Sequence, residues 1–443
     1  MIVEPVYDVE DKPPLNEAIP LGIQHVLAMF GGNVAVPIII AGALGLTIGE
    51  QTFLIQCAML VAGITTLLQT NRIGRVGAKL PVVQGTSFGF LPTAIAIGTT
   101  PGFGLPAILG ATFVGGFFQM ILGFFLKPIR KLFAPVVTGT VVLAIGLSLM
   151  PTGINYVAGG AGAEDFGSPQ NLALAALVLV VVIIANQFFK GFISMAAILI
   201  GIVVGYIVAI PMDMIDFGPV GAAEWFAIPR PLEFGMSFHW AAIVPMLIMY
   251  LVTTVETVGD ISGITMGGAG REATDEELSG GVMADGIASS FAGIFNSLPN
   301  TSYSQNVGIV AFTGVMSRYV VSIGALFLIA FALFPKFGAL VSVMPQSVLG
   351  GAAIIMFAMI ATSGIVLISQ GEMNRRNLLV VAVALGLGLG LGSVPEALAQ
   401  LPEEVGMIFS GSGIVVACLV AVILNLVLPK DVGRETRRDK KAS

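Results

Sequence analysis

Two carboxylates, Glu256 and Asp260, stand one helical turn apart inside an otherwise uncharged apolar run from Trp240 to about Met266. An acid at bilayer depth costs roughly 2.5 to 3.5 kcal/mol even on lenient insertion scales, so a segment that keeps two of them points to a use for both. On a helix they share one face, where two ionised acids repel each other. That is the chemistry of a proton site facing a polar cavity. The alternative reading of the same pair is a helix end solvated by cytoplasm.

The elements that position these acids follow from composition. Of 443 residues, 56% are hydrophobic and only 10% charged, and the mean hydropathy is +0.95, which identifies a polytopic, all-α membrane protein. Cys57 and Cys418 both lie in apolar runs, so there is neither a disulfide framework nor a metal-ligand spacing. No cofactor is expected. The opening MIVEPVYDVEDKPPLNEA is acidic and lacks the basic region and apolar stretch of a cleaved signal peptide. The net charge of -6 comes largely from acidic loops and the amino-terminal tail and says little about partners; nucleic acid is not expected among them.

Apolar segments long enough to cross a hydrocarbon core, roughly 20 residues, are predicted at 19–43, 52–70, 80–98, 103–126, 134–151, 171–188 and 192–211. A second group follows at 240–266, 280–297, 304–316, 319–335, 345–368, 377–394 and 408–428. Fourteen spans put both termini on one side, and the tail with Lys430, Arg434, Arg437, Arg438, Lys440 and Lys441 marks that side as cytoplasmic. Arg72, Arg75, Lys79, Lys127, Arg130, Lys131, Lys190, Arg271, Arg318, Arg375 and Arg376 then all face the cytoplasm, leaving Arg230 and Lys336 outside. Asp213, Asp216, Glu224 and Trp225 fall in the external loop before the eighth span.

The two halves repeat weakly. QGTSFGF at Gln84 to Phe90 echoes NTSYSQN at Asn300 to Asn306, and APVVTGTVVLAIGLSLMPTGI from Ala134 echoes MPQSVLGGAAIIMFAMIATSGI from Met344. The partners lie seven spans apart, an odd number, which gives the copies opposite orientations in an inverted repeat. Chance matches between Gly- and Ala-rich spans offer a second explanation.

The third and tenth spans are both short and interrupted by Gly, Pro, Ser and Thr. Irregular backbone at membrane depth survives only where protein or a water-lined cavity satisfies it, so these segments are expected to line a site. Gln84, Thr86, Ser87, Thr301, Ser302, Ser304, Gln305 and Asn306 bring uncharged hydrogen-bonding groups, and Phe88 and Tyr303 bring flat apolar faces. That mixture suits a planar heterocycle. The Gln305 amide can donate to a ring carbonyl and accept from a ring N–H, Phe88 can stack on the ring, and ionised Glu256 can accept two N–H bonds. The same polar residues could instead knit helices together. Gly259, Gly263 and Gly308 read as packing glycines at helix contacts.

QNVGIVAFTG, from Gln305 to Gly314, resembles the signature of the nucleobase-ascorbate transporter family: Gln or Glu, Asn, any residue, Gly, four residues, Thr, then Arg, Lys or Gly. Gln24-His25, GTSFGF at Gly85 to Phe90, VETVGDI at Val255 to Ile261 and MADGIASS at Met283 to Ser290 are similar to further family landmarks in the expected order. The resemblance covers all but the tails. It implies a 7+7 inverted repeat of fourteen membrane segments, with short strands in segments 3 and 10.

It further implies cytoplasmic tails at 1–18 and 429–443, a core domain from 19–126 and 240–336, and a gate domain from 127–239 and 337–428. Glu256 and Gln305 would bind the base, Phe88 would pack on it, and Ser87, Asn306 and backbone around Tyr303 would shape the site. Asp260, Asp285, His25 and Gln24 would serve transport or proton coupling. Gate domains would pair into a homodimer in a bacterial inner membrane.

Gln305 and Gly314 at the signature ends resemble the bacterial purine carriers. The implied activity is import of urate or xanthine by proton symport, with uracil as the alternative substrate. An anion transporter or channel of related architecture is the rival class, and would place a basic residue rather than acids at its site. No nucleophile and base pair suggests an enzyme. The two histidines, His25 and His239, lie far apart in sequence.

Overall fold

The computed structural model describes residues 5–126, 134–398, 400, 401, 409 and 413–429. The basic tail from Lys430 and the loop cations Lys127, Arg130 and Lys131 lie outside the described residues. The chain is predominantly helical and forms two compact units, Met1–Phe124 with Met150–Met356, and Phe125–Leu149 with Phe357–Ser443.

In the first unit, α1 (Leu15–Leu44) ends at Gly45, whose φ of 64° closes the helix in the left-handed region. Thr47 and Glu50 then start α2 (Ile48–Thr70) through a reciprocal capping box. The third predicted span is no continuous helix. It becomes strand β1 (Gln84–Thr86), a 3₁₀ turn at Phe88–Phe90 and the short α3 (Leu91–Thr99). Next come α4 (Gly104–Phe124), α5 (Pro135–Val157), which belongs to the second unit as far as Leu149, α6 (Pro169–Phe188) and, after a turn at Phe192–Met195, α7 (Ala197–Ala209).

The acid pair sits on the 30-residue α8 (Trp240–Ala269). Helix α9 (Asp275–Ile294) starts before its predicted span, because Thr274 and Glu277 form a second capping box and three acids occupy its first turn. The tenth predicted span likewise divides, into β2 (Asn300–Ser302) and the ten-residue α10 (Ser304–Thr313). The eleventh bends by 82° between α11 (Arg318–Ala332) and α12 (Pro335–Ser342), where Pro335 opens the second helix. Helix α13 (Gln346–Ser369) completes this unit and enters the next.

β1 and β2 pair antiparallel, with Gln84 opposite Ser302, Gly85 opposite Thr301 and Thr86 opposite Asn300. All six residues are buried. Two strands this short satisfy each other's backbone in a place where neither could satisfy itself.

Close backbone approach marks the tightest helix seams. A Cβ on Gly116 of α4 would lie 2.5 Å from the carbonyl oxygen of Gly286 on α9, and one on Gly286 would lie 2.6 Å from that of Gly116. Gly22 of α1 and Gly324 of α11 meet in the same way. Small residues at such crossings let helices pack without intervening side chains.

The amino-terminal segment docks as a strap. Val6 N donates to Gly314 O at 2.8 Å, Met316 N donates to Tyr7 O at 2.8 Å, and Ser317 Oγ donates to Asp11 O at 2.7 Å. Gly314, at a φ of 67°, ends α10 where the strap meets it. Glu10 reaches both Lys79 and Arg318 at 2.7 Å. Nearby loop cations are paired too, Arg72 with Glu276 and Arg271 with Glu277. Lys336 lies 4.9 Å from the Trp225 ring centroid and donates to Val220 O.

In the second unit, α5 packs on α13 through Gly139 and Gly364, and α14 (Arg375–Ser393) on α15 (Gly413–Val427) through Gly388 and Gly413. Arg376 closes that pair by donating to Asn425 O and Leu428 O. Among the described residues, eight helices are long and apolar enough to cross a membrane, or nine if the bent pair counts as one span.

Candidate functional site

The site elements all belong to the first unit: α1, α2, β1, α8, α9, β2 and α10. Helices α8 and α10 run side by side, with Gly263 facing Val307 and Gly267 facing Ala311. One turn earlier in the same register, Asp260 accepts Ser302 Oγ at 2.6 Å and Ser304 Oγ at 2.7 Å, one on each carboxylate oxygen. Asp260 therefore holds the junction between β2 and the start of α10. Of the three glycines expected at helix contacts, only Gly263 is one. A Cβ on Gly259 or Gly308 would meet nothing within 4 Å, so both border open space.

Asp285, fully buried on α9, is a hub. Its Oδ1 accepts Gln69 Nε2 at 2.8 Å and Gln84 Nε2 at 2.5 Å, and its Oδ2 accepts the hydroxyl of Thr257. A buried carboxylate requires such donors. Through them Asp285 ties α2, β1 and α8 to α9. Thr257 is the immediate neighbour of Glu256, and the carboxyls of Glu256, Asp260 and Asp285 lie close enough to interact electrostatically.

His25 and Asn306 form a second clasp, between α1 and α10. Asn306 Nδ2 donates to His25 Nδ1 at 3.0 Å and to His25 O at 2.9 Å. Since an amide NH2 cannot accept, Nδ1 is the imidazole's acceptor and the ring proton sits on Nε2. Gln24, one residue earlier, donates to Met195 Sδ at 3.2 Å.

The aromatic pair expected at a ligand ring has divided duties. Tyr303 is buried with Val26, Met29 and Val83, and its hydroxyl donates to Thr86 O at 2.7 Å. Its ring is wedged between Gly32 and Gly85, where an added Cβ would come within 2.9 Å and 2.7 Å of it. Tyr303 thus acts as a bolt across the strand pair, with its polar atom already used. Phe88 lies beside it, against Gly32. Ser87 accepts Gly89 N at 3.2 Å and caps the 3₁₀ turn, so its side chain too has a local task.

Glu256 and Gln305 stand apart from these clasps. Both are half-buried, and no described residue donates to Glu256 or bonds to the Gln305 side chain. An acceptor-only carboxylate and a donor-acceptor amide are therefore left with open valences beside a framework in which Asp260, Asp285 and Tyr303 are satisfied, while Asn33 Nδ2, Gln84 Oε1, Asn300 Oδ1 and Asn306 Oδ1 are buried without a partner among the described residues. That combination suits a flat polar heterocycle with adjacent N–H and C=O groups. Among the described residues, no group of three or more His, Cys, Asp or Glu could hold a metal ion.

Three framework residues escaped the sequence reading. Gln69 and Thr257 serve Asp285, and Asn33 accepts Thr86 N at 2.9 Å while its carbonyl accepts Thr86 Oγ1 at 2.8 Å. Their signal is a lone amide or hydroxyl inside an apolar run, which packing glycines and ordinary helix hydroxyls share.

A model described as Permease family matches residues 16–397. The chain belongs to the nucleobase-ascorbate transporter family. It is a transporter, and nucleobase permeases resemble it along nearly their whole length. A putative purine permease of Clostridium perfringens is 43% identical over 96% of this chain and 93% of its own. A xanthine permease of Bacillus subtilis is 40% identical, over 93% and 94%, and a uric acid permease of the same organism 39%, over 91% and 94%. The fold is shared more widely. The transmembrane domain of a cyanobacterium bicarbonate transporter, BicA, aligns with a TM-score of 0.58 at 14% identity, over 95% of this chain and 100% of that one. The murine anion transporter Slc26a9, inward-facing, aligns at 0.65 and 12%, over 94% of this chain and 69% of that one.

Proposed function

We propose that this permease imports an oxidised purine base, urate or xanthine, by proton symport. The observation that carries the reading is the unpartnered pair Glu256 and Gln305, set beside the buried acids Asp260 and Asp285. Glu256 accepts ring N–H groups, Gln305 reads an adjacent carbonyl and N–H, and Phe88 covers a ring face. Asn306 holds Gln305 in place through His25, while Ser87 and Tyr303 shape the strand junction. Curated relatives named for xanthine and uric acid support purines over uracil.

Coupling follows from polar satisfaction. A proton on one of the acids and a base on Glu256 and Gln305 together leave fewer unpaired groups than either ligand alone, so the doubly loaded form crosses most readily. No resident cofactor takes part; the proton is the coupling ion. The full arrangement comprises fourteen membrane segments in a 7+7 inverted repeat, in a bacterial inner membrane with both termini cytoplasmic. Core segments 19–126 and 240–336 move against gate segments 127–239 and 337–428, which pair into a homodimer.

The test is uptake of radiolabelled xanthine, urate and uracil into proteoliposomes under an inward proton gradient, comparing the native chain with Glu256→Gln. Gradient-driven accumulation of a purine, lost in the variant, is expected. Preferred accumulation of uracil would move the substrate to a pyrimidine. Absence of saturable uptake of any base by folded protein would overturn the reading and return attention to anion transport.

A further inference from the structure

The Gln69 amide can be oriented in only one way. It donates from Nε2 to Gly281 O at 3.0 Å and to Asp285 Oδ1 at 2.8 Å, while its Oε1 accepts the backbone N–H of Ala78 at 3.0 Å. A carbonyl cannot donate and a backbone N–H cannot accept, so flipping the amide would break all three bonds at once. Gln69 is fully buried, and its backbone carbonyl also accepts Lys79 N at 2.8 Å, which folds the loop after α2 back upon it. Asp285 Oδ1 therefore always faces an N–H.

The second oxygen is different. Oδ2 faces the hydroxyl of Thr257, a group that can donate or accept. A proton arriving on Asp285 has one well-satisfied position, on Oδ2, where the new O–H donates to Thr257 Oγ1. Thr257 must then turn its own hydrogen elsewhere, and the carbonyl one helical turn back, that of Thr253, is the acceptor a helical threonine uses. Thr254 already makes such a bond, to Tyr250 O at 2.7 Å. No bond other than O–H is made or broken, and the proton alone is gained.

We infer that Gln69 and Thr257 are positioning residues for transport: Gln69 fixes which oxygen of Asp285 takes the proton, and Thr257 passes that event into α8, the helix that carries Glu256. The inference rests on the proposed proton-coupled purine transport and adds to it the site and direction of the rearrangement. Ionisable groups around Asp285 are Glu256, Asp260 and the Tyr250 phenol, all on α8. Helix α4 and both strands carry none, α2 carries Glu50 and Cys57 in its first half, and α9 carries Asp275, Glu276 and Glu277 in its first turn. The loop after α2 contributes Arg72, Arg75 and Lys79, of which Arg72 is paired with Glu276 and Lys79 with Glu10.

The experiment compares Thr257→Ser, Thr257→Cys, Thr257→Val and Gln69→Leu with the native chain in proteoliposomes. Three quantities are read: xanthine affinity, counterflow exchange at equal pH, and the pH profile of gradient-driven uptake. Thr257→Ser is expected to keep the native profile. Thr257→Val should bind and exchange within about threefold of native yet lose about tenfold of gradient-driven uptake, with the pH profile flattened. Thr257→Cys, a weak donor and poor acceptor, should fall between them. Gln69→Leu should shift the profile as well as lower the maximal rate, with KM changed less than the rate.

A native pH profile in Thr257→Val, or in Thr257→Cys if the valine variant does not fold, overturns the inference. So does loss of exchange and gradient-driven uptake in equal proportion, which is the mark of a purely structural role. If the native chain takes up no base at all, the function proposed above fails, a result distinct from either of these.

Discussion

Tyr303 and Thr86 join the two broken segments of the site, the phenol of one donating to the backbone carbonyl of the other at 2.7 Å across the β1–β2 pair. Removing that hydrogen in Tyr303→Phe leaves a buried carbonyl short of a partner, at a cost of about 1–3 kcal/mol. The ring volume is kept. A lower Tm with base affinity retained is expected from thermal unfolding and equilibrium binding; an unchanged Tm would show that the bond contributes nothing.

Gly85→Ala and Gly259→Ala should behave oppositely. A Cβ on Gly85 meets Tyr303 at 2.7 Å and Asn33 Oδ1 at 2.8 Å, and neither neighbour is free to retreat, so roughly 1–3 kcal/mol of destabilisation follows. At Gly259 nothing lies within 4 Å, and alanine should gain up to about 1 kcal/mol through helix propensity. Paired thermal melts in one detergent decide it; equal shifts for both would contradict the packing described.

Glu256→Gln and Asp285→Asn separate binding from framework. No described residue donates to Glu256, so its amide should fold with a native Tm while base affinity drops at least about tenfold, the value of one hydrogen bond to a charged group. Asp285 accepts three donors, and an asparagine that keeps its carbonyl for the two glutamine amides turns an NH2 toward Thr257, which can accept only one of its two hydrogens and leaves the other buried without a partner. Its Tm should fall. Equal Tm losses in the two variants would remove the distinction.

Much of this site was visible as sequence, and what stayed hidden has physical reasons. Glu256, Asp260 and Asp285 are conspicuous because any acid in an apolar run is costly. Gln305 and Asn306 stood out through their setting in a short, interrupted segment. β1 and β2 are three residues each, too short for a two-residue alternation to register, and they entered only through resemblance to a family. Gln69 and Asn33 read as ordinary polar residues of a helix, since what makes them matter is a partner far away in the chain. The division of labour between Tyr303, which is committed, and Gln305, which is open, depends on three-dimensional contacts that no local pattern encodes.

The strap has a pH signature. Hydrogen bonds from Arg318, and then from Lys79, hold the Glu10 carboxyl at about 2, below its usual 4.5. A folded value below the unfolded one adds stability that is complete above about pH 4.5 and drains away as pH falls toward 2. Glu10 is largely exposed, so salt weakens the effect. Hydrogen exchange at the Val6 and Met316 amides, corrected for intrinsic rates, should accelerate as pH falls from about 4.5 toward 2, and Glu10→Gln should show the faster exchange already at neutral pH. Identical protection in the variant would remove Glu10 from the docking.

The seam between α4 and α9 bears on how the site can travel. With Gly116 and Gly286 in backbone contact, Gly123 and Gly293 continuing the line, and the hydroxyls of Ser279 and Ser290 donating to Gly123 O and Phe113 O, backbone and short side chains lock these helices together. They form one beam. Any displacement that carries Asp285 through the bilayer drags α4 with it, although α4 contributes no charged residue. A bulky substitution on that silent helix would thus jam a buried acid carried by its neighbour.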